Sequence, residues 1–336
     1  MNLEAALRPY MDQFNEELAK YLVKRDLKPE ELYDAIRHLP ITGGGKRLRP
    51  LVAILSAQCV GGDSKKIMPY GVALEVLHNF TLIHDDIMDK CDTRRSLPAV
   101  HAKWGEPLGI LAGDTMFAMV FEILDRLEIG DEMYRTVVLD VARLAREVCE
   151  GQYWDMHFEN QKKIEELQYY HMIERKTATF FEIAMKNGAE LASADPQQVK
   201  KLAECGRLMG LAFQVWDDYL GVTATDEALG KPAYSDLRNG KKTMVYVATH
   251  QRLDPFDRRQ FVDLYKKADK TEADIEAILQ FVQKKGGKDN VSGLEFSKQR
   301  AKEFSSFAKA TLAQLPETAA KRLLLLLCDF ASNRTK

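Results

Sequence analysis

Leu74-Glu-Val-Leu-His-Asn-Phe-Thr-Leu-Ile-His-Asp-Asp-Ile-Met-Asp-Lys-Cys-Asp-Thr-Arg-Arg95 is the stretch that decides how this chain is read. It begins as an apolar helical run and ends in clustered acid and base. Asp85, Asp86 and Asp89 stand at i, i+1 and i+4. On a helix Asp85 and Asp89 share a face, where like charges destabilise it. A hard divalent cation offsets such repulsion, because Mg²⁺ takes oxygen ligands and shares them with substrate phosphates. Arg94 and Arg95 follow, and the guanidinium fork suits phosphate. Carboxylates for a metal beside arginines for phosphate point to a metal-bridged diphosphate.

Working outward, Leu211-Ala-Phe-Gln-Val-Trp-Asp-Asp218 repeats the design, with Asp217 and Asp218 closing a second apolar helical run. One Asp-Asp pair reads equally well as a solvated helix end. Two pairs, each ending an apolar helix, favour carboxylates presented across one cavity to several metal ions. Upstream, Ile41-Thr-Gly-Gly-Gly-Lys-Arg-Leu-Arg-Pro50 interrupts the helical pattern. Glycine amides approach an anion closely, and Pro50 suits the first position of the next helix. Lys46, Arg47 and Arg49 are then expected at a helix N-terminus, which favours anions. A solvated basic loop is the plain alternative. Residues 221–242 are polar and read as a loop that closes over the site with Lys231 and Lys241, or as ordinary surface. Lys176 and Thr177 fall at an expected helix centre, and Gln152 and Asp155 stand one turn apart.

The chain has 336 residues, 46% of them hydrophobic, enough for a large core. A net charge of −2 argues against a nucleic-acid protein held by bulk charge. Cys59, Cys91, Cys149, Cys205 and Cys328 form no CxxC pair, which fits a reducing compartment and a cytoplasmic protein. Residues 1–27 have neither secretory nor transit-peptide character. The longest pure apolar run, Leu323–Cys328, is too short to span a bilayer. Apolar residues recur at helical period throughout, with no period-2 strand, repeat or low-complexity tract. The expectation is one all-α domain over residues 1–336, about a dozen helices bundled around a central cavity.

These motifs, in this order and over nearly the whole chain, resemble the trans-isoprenyl diphosphate synthases of the polyprenyl synthetase family. Gly44-Gly-Lys-Arg-Leu-Arg-Pro50 is similar to the family's early basic motif. His78 stands seven residues before the first aspartate-rich motif, Asp85-Asp-Ile-Met-Asp89, which Arg94 and Arg95 follow. Gln152 with Asp155, Lys176-Thr177, Gln214 with Asp217-Asp218, Gly230-Lys231, and Asp236 through Lys241 match the remainder. One departure stands out. The second motif is usually Asp-Asp-x-x-Asp, and its last position here is Gly221.

The resemblance implies a head-to-tail prenyl transfer between isopentenyl diphosphate and an allylic diphosphate. It assigns Asp85, Asp89 and Asp217 to Mg²⁺ or Mn²⁺, three ions per site, with Asp86 in the same motif. Arg94, Lys176 and Lys241, helped by Lys231, add positive charge at the allylic diphosphate. Lys46, Arg49, His78 and Arg95 hold isopentenyl diphosphate, and oxygens of Thr177 and Gln214 lie near an allylic cation. A homodimer is implied. Product length is expected to be set on the helix below Asp85, where Phe80 lies roughly 7–8 Å down the axis. The helical wheel puts Thr81 nearer the aspartate face, and Phe80 reads equally as core. The family commonly limits length with an aromatic here, so Phe80 is the expected floor, with Thr81, Leu77, Met116 and Phe117 as neighbours. A small Thr81 favours a C20 product over C15, with C25 within reach. A class I terpene cyclase needs no second diphosphate site, and a regulatory subunit of a hetero-oligomeric synthase would lose the clusters this chain keeps.

Overall fold

The opening stretch forms the C-terminal part of α4 (Ser64–Met88), and the way that helix stops places the acids. Asp63 caps its start, its carboxylate accepting from the Lys65 N–H at 2.9 Å. Apolar residues then cover most of its circumference, as on a helix buried on all sides. At its end Lys90 turns left-handed (φ 52°), the Cys91 N–H reaches back to Asp86 O at 2.8 Å and the Lys90 N–H to Ile87 O at 3.3 Å. This Schellman arrangement satisfies the last carbonyls and stops the helix. Asp85 and Asp86 therefore lie in its final turn, with Asp89 at the C-cap.

The protein, a computed structural model, is described over residues 3–23, 27–225 and 234–334. It is all-helical, as expected. Among the described residues there are sixteen α-helices and two π-helical turns, more than the dozen expected, because short helices such as α5 (Val100–Trp104) hide inside apparent loops. Two antiparallel ladders of two residues each, β1–β2 (Thr93–Arg94 with Leu97–Pro98) and β3–β4 (Lys285–Gly286 with Val291–Ser292), correct the expectation of no strand. They are too short to show a period-2 pattern.

The chain divides into two compact units. Unit 1 comprises Met1–Ala145, Phe181–Gly206 and Thr311–Leu327. In it α4 packs along α6 (Glu106–Leu124), and α3 (Leu48–Cys59) packs on α4. By length and composition α6 is apolar enough to cross a membrane, although Asp114 and Glu122 interrupt it. Here α6 is packed against α2 (Glu30–Arg37), α4 and α5, with Ile110 and Leu111 exposed. Unit 2 comprises Arg146–Phe180, Arg207–Ala310 and Cys328–Lys336. Its core gathers Trp216, Tyr246, Phe261 and Tyr265 with aliphatic residues from six further segments of that unit. In chain order the remaining helices used below are α7 (Asp131–Glu159), α8 (Glu166–Ile173), α9 (Thr179–Leu191), α10 (Pro196–Thr223) and α11 (Ser235–Arg238), with a π-helical turn, Glu174–Ala178, between α8 and α9.

Candidate active site

In unit 1 the end of α4 is folded back on by the β1–β2 hairpin. Arg94 pairs with Leu97, leaving Arg95-Ser96 as a two-residue loop with positive φ at both positions (53° and 62°), the conformation of a type I′ turn. The hairpin returns Arg94 to α4. Its Nε donates to Asp86 Oδ1 at 2.9 Å, and Nη2 donates to the same oxygen. Asp86 is fully buried, and its Oδ2 has no hydrogen-bond partner among the described residues. Burial pushes its carboxyl up and Arg94 opposes that. Asp86 is thus the seat of Arg94. Asp85 and Asp89 are half-buried neighbours at the negative end of the helix dipole, a place that favours cations.

Two turns higher, the glycine loop meets α4. The expectation of three bases at the start of a helix is corrected in part. The helix begins at Leu48, so Pro50 is its third residue, and Arg47 is a left-handed N-cap (φ 50°) that turns inward. Arg47 Nη1 donates to Glu75 Oε1 at 2.6 Å, Nη2 to Pro40 O at 2.5 Å and Nε to Asn15 Oδ1 at 3.0 Å. Its charge is spent inside the protein. Lys46 stays exposed, Arg49 Nη1 lies 3.0 Å from His78 Nε2, and Arg95 Nη1 donates to Gly44 O at 2.6 Å. Burial and then Arg49 hold the His78 pKa well below the usual imidazole range. His78 is therefore neutral, with Nε2 accepting from Arg49. Lys46, Arg49, His78 and Arg95 are brought to one loop-and-helix junction.

Also in unit 1, the α4–α6 packing sets Phe80 against Phe117 with the rings tilted at 39° and their centroids 5.4 Å apart, and Phe121 lies 5.4 Å beyond. Leu77 and Met116 are fully buried, whereas Phe80, Thr81 and Phe117 keep some exposure. The Thr81 hydroxyl is turned to its own helix, donating to His78 O at 2.8 Å.

Unit 2 holds the rest. A Cβ on Gly151 of α7 would stand 2.3 Å from Lys176 N, and one on Gly210 of α10 would stand 2.5 Å from Ala178 Cα. The missing side chains let both helices touch the π-helical turn, and such turns concentrate at functional sites. The contact sets two pairs. Lys176 Nζ donates to Asp155 Oδ2 at 2.6 Å, and Lys241 Nζ reaches the same oxygen at 3.0 Å. Burial pushes the Asp155 carboxyl up, but the two lysines more than offset it and hold it at about 2. Thr177 Oγ1 donates to Gln214 Oε1 at 2.7 Å, and Gln214 Nε2 donates to Asp218 Oδ1 at 3.1 Å. Asp218 Oδ2 accepts from the Tyr169 hydroxyl at 2.6 Å and the Met244 N–H at 2.7 Å. Burial pushes the Asp218 carboxyl up to about 7 against those donors.

Asp217 is more open and is paired with Arg334. At Gly221, where the third aspartate of the pattern is missing, a Cβ would lie 3.1 Å from Asp236 Oδ2, so a carboxylate from α11 borders that position. Lys231 lies outside the described residues, as does the 226–233 part of the expected closing loop. Arg334, Tyr169 and Glu75 are participants that the sequence reading missed. Glu75 carried a signal, as a charge inside an apolar run, while Arg334 carried none.

The donor chemistry fits a hard divalent cation. In unit 1 the groups offered are carboxylate oxygens, with Asp86 Oδ2 an orphaned buried acceptor, and in unit 2 Asp217 offers a partly exposed carboxylate. Among the described residues no group of three or more His, Cys, Asp or Glu side chains is placed to hold a metal ion by itself.

Comparison with known proteins bears on this arrangement. The chain is 42% identical over 309 residues to the geranylgeranyl diphosphate synthase of Methanosarcina mazei, covering 91% of each. The solved geranylgeranyl pyrophosphate synthetase of Pyrococcus horikoshii Ot3 superposes with a TM-score of 0.89 at 34% identity, over 99% of this chain and 98% of that one. A polyprenyl synthase from Caulobacter crescentus CB15, complexed with calcium and isoprenyl diphosphate, superposes with a TM-score of 0.88 at 29% identity, over 99% and 97%. The polyprenyl synthetase family model matches residues 29–282, and with helices, carboxylates and bases in the family's order, the chain belongs to the polyprenyl synthetase family.

Proposed function

We propose that this chain is a prenyl diphosphate synthase that joins isopentenyl diphosphate head-to-tail to an allylic diphosphate and releases geranylgeranyl diphosphate (C20). One observation carries the reading. A single helix, α4, bears carboxylates with an anchored arginine at its end and, seven residues earlier, His78 joined to Arg49 beside the glycine loop. Two distinct anion-binding sets suit two diphosphate substrates, and a cyclase needs only one.

Bound Mg²⁺ or Mn²⁺, three ions by the resemblance, would supply Lewis-acid stabilisation of the leaving diphosphate. Asp85, Asp89 and Asp217 would hold those ions. Arg94, fixed by Asp86, and Lys176 and Lys241, fixed by Asp155, bring positive charge that needs no reorganisation when the C–O bond breaks. The bonding pair leaves with the diphosphate, and an allylic cation remains. The Gln214 amide nitrogen donates to Asp218 and its amide oxygen accepts from Thr177. The Thr177 hydroxyl then donates to Gln214, and its lone pairs are left for the cation. Isopentenyl diphosphate, held by Lys46, Arg49, His78 and Arg95, attacks with its double bond, and a proton passes to the departing diphosphate. Lys231 is assigned a supporting role from the sequence. The Phe80–Phe117 pair limits the chain, backed by Leu77 and Met116, with Thr81 leaving room for C20.

We read the molecule as one functional domain, since the family match spans residues of both units. We read it also as a cytoplasmic homodimer, with exposed Ile110, Leu111 and Leu139 offering apolar surface to a second copy. Purified protein incubated with Mg²⁺, isopentenyl diphosphate and each allylic starter is expected to yield C20 diphosphate, identified by chromatography. Cyclic hydrocarbons, or no condensation by folded protein, would overturn the reading.

A further inference from the structure

Asp217 and Asp218 are adjacent, yet only one can serve an ion. Asp218 is 5% exposed and both its oxygens are taken by three donors. The third position of the motif is Gly221. Of the α10 pair, Asp217 alone has a carboxylate open to solvent, its side chain 45% exposed. An exposed aspartate on a helix ordinarily samples several rotamers, and an ion that binds it must halt that motion.

Asp217 is not left to sample them. Arg334 Nη2 donates to Asp217 Oδ1, and the Arg334 side chain is 2% exposed. Four further contacts seat the arginine. Nη1 donates to Ala331 O at 2.7 Å and Nη2 to Phe213 O at 3.1 Å. The guanidinium carbon lies 3.8 Å from the Phe213 ring centroid, and the Arg334 carbonyl accepts from the Trp216 indole N–H at 2.8 Å. Phe213, Trp216 and Asp217 stand at i, i+3 and i+4 on α10. The last described residue of the chain is thus locked to the turn that carries Asp217. With so many independent anchors, Arg334 is part of the wall and not a swinging gate.

We propose that Arg334 is a positioning residue for the metal site, holding Asp217 through Oδ1 so that Oδ2 is left as a single-oxygen ligand for a divalent cation. This rests on the reading of Asp217 as a metal ligand. Hydrogen-bonding partners behind a ligating carboxylate typically contribute 10–100-fold to metal affinity. With no third aspartate at Gly221, the orientation of Asp217 carries more weight in this chain.

The test is Mn²⁺ titration followed by electron paramagnetic resonance, with inorganic pyrophosphate present. It uses the full chain carrying Asp85→Asn and Asp89→Asn, so that the α10 end is read by itself. Arg334→Met is expected to weaken Mn²⁺ binding about 10–100-fold, and Arg334→Lys to recover part of the loss. In the otherwise unaltered enzyme, Arg334→Met should raise the Mg²⁺ concentration for half-maximal turnover more than it lowers turnover at saturation. Unchanged or tighter Mn²⁺ binding in folded Arg334→Met overturns the proposal, tighter binding being the mark of a guanidinium that merely competes for the carboxylate. If Arg334→Met does not fold, Arg334→Lys decides. Several-fold weaker binding supports the proposal and parental affinity overturns it. Asp217→Asn separates the two layers. If it leaves Mn²⁺ binding intact, the metal reading falls and this proposal with it. If it abolishes binding while Arg334→Met does not weaken it, Arg334 alone is misassigned.

Discussion

Arg47 shows how a charge in the glycine loop can serve as a structural part of it. It sits left-handed, a conformation uncommon outside glycine, and it is held there by a pair in which both side chains are nearly sealed, 4% and 2% exposed. Lys46 and Arg49 flank it, so the inward turn of one residue presents its neighbours. Breaking a buried pair from one side leaves an uncompensated charge and costs about 3–5 kcal/mol, whereas replacing both partners by apolar residues is often neutral. Arg47→Met should therefore lower unfolding free energy by about that amount, and Arg47→Met with Glu75→Leu should recover most of it. The double variant should still show a raised KM for isopentenyl diphosphate, since the loop has lost its anchor. Denaturant titration with steady-state kinetics decides, and equal stability of single and double variants would contradict the pair's role. Asp155 makes a second residue-scale prediction. Its folded pKa of about 2 lies below the ordinary 3.8, so its stabilisation is fully present above pH 4 and is lost as pH falls toward 2. The shift is worth about 2 kcal/mol. Asp155→Asn should flatten acid unfolding in that window, and an unchanged acid profile would show that the lysines do not stabilise it.

At the scale of elements, α4 was legible and its surroundings only partly so. Apolar periodicity and the final acid cluster marked the helix and its end. The residues that make that end work, left-handed Lys90 and the Arg95-Ser96 turn, have no turn signature, because neither is glycine or asparagine. The sequence reads Lys176 as ordinary helix, and the close approach of Gly151 and Gly210 to the π-helical turn there comes from other helices. The pairing of Phe80 with Phe117 needed the α4–α6 packing to appear, although both residues were candidates from sequence. That pairing gives the element-scale prediction. Removing the Phe80 ring opens space beside Phe117 while Leu77 and Met116, fully buried, keep the two helices together. Phe80→Ala should lengthen the product by at least one isoprene unit with modest loss of rate. Chromatography of the extracted products showing an unchanged length distribution would move the floor elsewhere.

At the scale of the whole molecule, the helical class followed from a 3.6-residue period sustained from Leu3 to the last helix. The division into two interleaved units did not, because periodicity reports a buried face and not its partner. The same blindness hid the Arg334–Asp217 pair, whose partners are 117 residues apart in the chain. Of the proposed metal ligands, Asp85 and Asp89 belong to the first unit and Asp217 to the second. Turnover can tell whether they serve one step. Asp85→Asn and Asp217→Asn keep shape and remove charge, and loss of one electrostatic stabiliser typically lowers rate ~10²–10³-fold. Residues that act as a unit are strongly non-additive. The double variant should therefore lose far less than the product of the single losses, and all three should respond to Mg²⁺ more weakly than the parent. Folded single variants with near-parental turnover would remove the metal assignment. Losses that multiply cleanly would show that the two carboxylates act independently.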